Sequence, residues 1–84
     1  MSYSVFFLPR AEREFAALSK SDFESVKRAI DGLIENPRPV NCQELKGRDG
    51  WRIRAGNYRI VYDIDDSIRS VTVVNIGHRR EVYR

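Results

Sequence analysis

The stretch WRIRAGNYRIVY, Trp51 to Tyr62, holds the strongest constraint in the chain. Gly56-Asn57 reads as a two-residue hairpin turn, and Gly at the first central position suits type II′. That turn fixes the register. Ala55 faces Tyr58, Arg54 faces Arg59, Ile53 faces Ile60, Arg52 faces Val61 and Trp51 faces Tyr62. Residues directly opposite share a sheet face, and side chains alternate with a period of two. Trp51, Ile53, Ala55, Tyr58, Ile60 and Tyr62 therefore share one apolar face. Arg52, Arg54, Arg59, Val61 and Asp63 share the other.

The apolar face needs a cover. The segments before the hairpin supply one. Tyr3 to Leu8 reads as a short strand. Pro9 suits a helix first turn, where its missing N–H costs nothing. Ala11, Phe15 and Leu18 then form one apolar stripe to about Leu18. Ser21 and Glu24 have capping-box spacing, so a second helix is expected to begin there. Phe23, Val26, Ile30, Leu33 and Ile34 give it an apolar face, and Asn36-Pro37 ends it. A loop follows, and then strands at about 50–55, 58–64 and 70–76, with Gly77 breaking the last. The order β-α-α-β-β-β predicts an α+β fold. A helical hairpin packs on one face of a mainly antiparallel sheet. At 84 residues, 1–84 make one domain.

The basic face is costly. Arg54 directly across from Arg59 destabilises a sheet by a few tenths to about 1 kcal/mol. One reading is a basic edge that deters strand-to-strand aggregation. The other is an anion site, because guanidinium presents a planar fork of donors that matches phosphate oxygens. Charge distribution bears on the choice. Residues 1–45 carry six Lys/Arg against seven acids, and residues 46–84 carry nine against five. The basic excess lies with the hairpin and points to an anionic partner, of which nucleic acid is the commonest.

Other site classes find little support. Cys42 is the one cysteine, so no disulfide can form within the chain, which fits a reducing cytosol. One His and one Cys make no zinc site, and no metal or other cofactor is expected. The apolar run Val5 to Leu8 is too short for a signal segment or a membrane span. The tail NIGHRREVYR carries the only histidine, His78, with Arg79, Arg80 and Tyr83. Each alone reads as surface or packing. The last strand pairs in the same sheet, however, so its exit can lie near Arg52, Arg54 and Arg59. Cations, an imidazole and a phenol together suit RNA cleavage or base stacking.

LKGRDGWRIRAGNYRIVY followed by VNIGHRREVYR resembles the RelE-type toxins of bacterial and archaeal toxin–antitoxin systems, within the RelE/ParE superfamily. The resemblance covers essentially the whole chain. It implies a cytoplasmic, ribosome-dependent endoribonuclease that cuts mRNA in the A site. The RNA's own 2′-hydroxyl attacks, without metal. It also implies a RelB-type antitoxin partner in a hetero-oligomer and no membrane. By motif position, the family's basic residues fall on Arg52, Arg54, Arg59 and Arg79, and its stacking tyrosine on Tyr83. Arg59, Arg79, Tyr83 and His78 are the expected catalytic set. Arg52, Arg54, Lys46 and Arg80 are the expected RNA-binding set. The best-studied type carries lysines where this chain has Arg52 and Arg54. Arginine, with a pKa above about 12, is a poor base. That leaves His78 as the natural titrating group. The superfamily's other branch, ParE, inhibits DNA gyrase and cuts no RNA, and a non-catalytic RNA binder is the remaining alternative.

Overall fold

The computed structural model describes residues 2–78. Strand β1 (Ser4–Phe7) leads into helices α1 (Pro9–Ala16) and α2 (Lys20–Glu35). Strands β2 (Gln43–Glu44), β3 (Trp51–Ala55), β4 (Tyr58–Asp65) and β5 (Ser70–His78) follow. The five strands form one sheet in the order β1-β5-β4-β3-β2. Only β1–β5 is parallel, with Ser4 beside Ser70 and Phe7 beside Val73. The expected α+β plan holds, with β2 as an addition. Two residues are too few to show an alternation, and β2 exists by pairing Gln43 with Arg52 and Glu44 with Trp51.

Both helices lie on the apolar face. Ala11, Val26, Ile30 and Leu33 pack against Ile53, Ile60, Tyr62, Val71, Val73 and Ile76, all buried. A ladder of stacked rings ties the layers together. Phe7 lies 5.4 Å from Phe15, and Phe15 lies 4.3 Å from Phe23. Offset ring pairs of this kind add about 0.5–1.5 kcal/mol beyond their area. Pro9 opens α1, as its fixed φ favours.

The helix α2 start differs from the sequence expectation. Ser19, not Ser21, is the N-cap, and its hydroxyl accepts from the Asp22 amide at 3.4 Å. Ser21 and Glu24 fall inside the helix. The two serines compete for one role, and Ser19 takes it because α1 has already ended at Ala16. A second difference lies at Gly77. It does not break β5, which runs on to His78. Gly77 pairs with Arg59, and β4 holds the strand straight through it.

A polar cluster fastens the far end of the sheet. Asp66 accepts two hydrogen bonds from Arg38, at 2.9 and 3.2 Å, and one from Tyr3 at 2.6 Å. The Arg38 guanidinium lies 5.2 Å over the Trp51 ring, a favourable cation–π placement. These bonds from Arg38 and Tyr3 pull the Asp66 carboxyl down to about 2. Tyr62, fully buried, donates to the Pro37 carbonyl at 2.8 Å. Burial, with the nearby Cys42 thiol adding to it, pushes its phenol well above the usual range. No helix among the described residues is long and apolar enough to cross a membrane.

Candidate nucleic-acid interface

The β3–β4 hairpin has the predicted register, pair for pair from Trp51–Tyr62 to Ala55–Tyr58. Gly56 takes a φ of +61°, and Asn57 stays out of the left-handed region. That combination is the type II′ pattern. Ile53, Ala55, Ile60 and Tyr62 are buried against the helices. The arginines take the other side.

That side is not a uniformly solvated face. Arg59 is only 3% exposed and Val61 is buried beside it. Arg52 is half-buried and Arg54 is exposed. A buried guanidinium costs several kcal/mol in lost hydration before compensation. Alternation alone could not reveal this burial, because it assigns a side chain to a face and not to a depth. Gly77 stands directly opposite Arg59 on β5. Gly77 brings no side chain of its own to the cross-strand position beside Arg59.

The loop between β2 and β3 brings in more cations. Its ends are closed by a Leu45 N–H to Gly50 carbonyl bond of 3.0 Å. Gly47 and Gly50 take φ values of +77° and +126°. At Gly50 a Cβ would also meet Leu45 Cδ1 at 3.0 Å and Asp63 Oδ1 at 3.1 Å. Glycine is thus required there for both conformation and space. The loop flanks an open concavity of about 750 Å³, whose lining includes Lys46, Arg48, Arg52, Arg59, Gln43 and Val61. Arg52 Nη2 donates to Gln43 Oε1, which orients that guanidinium along the wall. A second hollow of about 270 Å³ adjoins it and is lined by Asn41, Gln43, Arg52, Ile53 and Arg54. Asp49 and Asp63 border a further hollow toward the other end of the hairpin, and Glu44 lies on the wall of both that hollow and the basic concavity. The basic character is therefore local, and it is deepest around Arg52 and Arg59.

Of the predicted site residues, Lys46, Arg52, Arg54 and Arg59 come together here. Arg48 joins them and was missed from sequence, since only the loop's two left-handed glycines bring it round. His78 does not join them. It pairs with Tyr58, so it lies on the helix-side face. The two rings meet edge to face at 5.6 Å and 76°. Arg79, Arg80 and Tyr83 lie outside the described residues.

Comparison with known proteins agrees with this architecture. The family described as "ParE toxin of type II toxin-antitoxin system, parDE" matches residues 5–83. The chain is 33% identical to the mRNA interferase toxin RelE of Escherichia coli K12, over 99% of this chain and 92% of that one. It is 32% identical to Toxin RelG of Mycobacterium tuberculosis, over 100% and 99%. Among solved structures, the toxin of the intact E. coli RelBE toxin–antitoxin complex superposes with a TM-score of 0.79 at 31% identity. That match covers 92% of this chain and 96% of the other.

Proposed function

Because this chain belongs to the RelE/ParE superfamily of type II toxins, we propose that it is a ribosome-dependent, metal-independent endoribonuclease that cuts mRNA in the A site. The observation that carries the reading is the placement of Arg59. It is buried, directly opposite exposed Arg54, and lines a concavity shared with Arg52, Lys46 and Arg48. Such an arrangement suits a polyanion whose phosphates enter from the open side. The name mRNA interferase carried by the E. coli relative agrees with an RNA phosphodiester as that anion.

Cleavage proceeds by attack of the RNA 2′-oxygen on the adjacent phosphorus. The bond from phosphorus to the 5′-oxygen breaks, leaving a 2′,3′-cyclic phosphate and a free 5′-hydroxyl. One proton leaves the 2′-hydroxyl and one reaches the departing oxygen. Arg59 and Arg79 hold the scissile phosphate and the charge that grows on it. A donor aimed at such charge is worth about 3–4 kcal/mol in the transition state. Arg52, Arg54, Lys46 and Arg80 hold the flanking backbone. Tyr83 stacks on a base or moves a proton. His78 serves as a base only if RNA reaches round the end of β5, because its ring is on the Tyr58 side. Ordering of the mRNA by the ribosome supplies much of the rate through positioning. A RelB-type antitoxin, as in the E. coli RelBE complex, holds the toxin in a hetero-oligomer in the cytoplasm.

The test is primer extension on mRNA in purified, programmed ribosomes. Wild-type protein should give codon-dependent cuts, and Ala at Arg59, Arg79 or Tyr83 should abolish them. Full toxicity in the triple variant would overturn the reading. The matched family bears the ParE name, which favours gyrase inhibition as the second reading. Growth arrest with DNA damage and intact mRNA would select it.

A further inference from the structure

Glu14 on α1 reaches the last strand at a single point. Its Oε1 accepts from the Ile76 backbone N–H at 2.8 Å, and Asn75 Nδ2 lies 2.9 Å from each carboxylate oxygen. Arg10, one turn earlier on the helix, donates to Oε2 at 3.1 Å. The Glu14 side chain is 27% exposed, so these bonds are partly sheltered from water.

The contact falls where the sheet would otherwise be open. Strand β1 pairs with β5 only as far as Phe7 and Val73, and the Leu8 N–H to Val73 carbonyl bond closes that edge. Beyond it the Ile76 N–H points away from β4, and among the described residues no strand lies beside it. The Glu14 carboxylate supplies the acceptor that a neighbouring strand would have offered.

At the same place the β4–β5 ladder is irregular. Val61 pairs with Asn75 but Tyr62 pairs with Val73, so Val74 is the extra residue of a bulge. A bulge sets the phase of everything after it. Here it turns Ile76 into the core, sets Gly77 opposite Arg59 and sets His78 opposite Tyr58. A one-residue slip would send each of these to the other face. A neighbour that carries a side chain would then take the place of Gly77 beside Arg59.

We propose that Glu14 is a positioning residue for the arginine site. It pins the Val74 bulge, keeps Gly77 beside Arg59 and fixes the register of β5 as far as His78. Its effect on cleavage rests on the function proposed above, whereas its effect on register does not. A carboxylate fits the role because two oxygens meet donors from both Ile76 and Asn75. Gln keeps a carbonyl for the Ile76 N–H, and a flip of the Asn75 amide restores the second bond. Ala keeps neither.

The experiment compares Glu14→Ala and Glu14→Gln with wild type by NMR and by single-turnover cleavage on programmed ribosomes. In Glu14→Ala, Ile76 amide exchange should speed up at least tenfold and the Arg59–Gly77 cross-strand contact should weaken. The cleavage rate at saturating ribosomes should fall at least tenfold, with ribosome affinity within twofold of wild type. Glu14→Gln should retain most of the rate and the register. If Glu14→Ala does not fold, Asn75→Ala, which removes the side-chain bonds and keeps the Ile76 one, should show the same shifts at smaller size, and unchanged register there overturns the proposal. Unchanged register in Glu14→Ala overturns the proposal, whatever happens to cleavage. So does equal damage in Glu14→Gln. Failure of wild type to cut any RNA removes the proposed function instead, and the NMR comparison still decides the register.

Discussion

Arg54 and Arg59 are direct cross-strand partners, yet one is exposed and the other buried. The pair places two like charges side by side, which a sheet selected for stability alone would avoid. Replacing the exposed member should separate stability from function. Arg54→Thr should raise stability by about 0.2–1 kcal/mol in denaturant titration. It should also weaken RNA binding and lower the salt slope by about one phosphate contact.

Arg59 should behave differently. Arg59→Lys keeps a charge but loses the fork of donors, and its shorter reach changes the contact with phosphate. Cleavage should fall by about 10²–10³ in single-turnover assays, the range for removing one well-aimed donor. Ribosome binding, measured by co-sedimentation, should change much less than cleavage.

The Gly50 position links the loop to the site. Gly50→Ala forces a residue with a Cβ to φ +126° against Leu45 and Asp63. A strained backbone of this kind costs about 1–3 kcal/mol. Thermal melting should register the loss. RNA affinity should fall as well, because Lys46 and Arg48 ride on the same loop.

Asp66 makes stability depend on acid. Its folded pKa of about 2 lies below the unfolded carboxylate value of about 3.9. Its contribution is therefore present above about pH 4 and is lost as pH falls through about 2. Asp66→Asn should be less stable than wild type at pH 7, and the gap should close between pH 4 and pH 2. Urea titrations at several pH values in that window measure it.

Tyr62 tests the buried polar link under the sheet. Tyr62→Phe leaves the Pro37 carbonyl without its donor at 2.8 Å. The expected loss is about 1–3 kcal/mol for an orphaned buried acceptor, read from urea unfolding at neutral pH.

The hairpin was legible because four of its five pairs match like with like, Arg52–Val61 being the mixed one. A turn of known geometry converts that sorting into a register. Three features were not legible, each for its own reason. Ser19 and Ser21 offer the same capping chemistry, and only the end of α1 chooses between them. The run VTVVNI reads as uninterrupted strand, so the Val74 bulge leaves no mark in the hydropathy. His78 sits near the arginines in sequence logic but on the wrong face in register, because its distance from Gly77 is one residue and the period is two. The proton-handling role expected of His78 is thus the part of the site that the register makes harder to satisfy.

The position of β5 between β1 and β4 has a consequence for synthesis. Ser4 is made early and must wait for Ser70 before it has a strand to join. The sheet therefore cannot assemble in the order in which it leaves the ribosome. Strand β5 comes after both of its neighbours, and folding is delayed until it emerges. A chain interrupted before Ser70 carries Arg52, Arg54 and Arg59 but lacks the strand that sets Gly77 beside Arg59. Such fragments would hold the arginines without the strand that sets their surroundings.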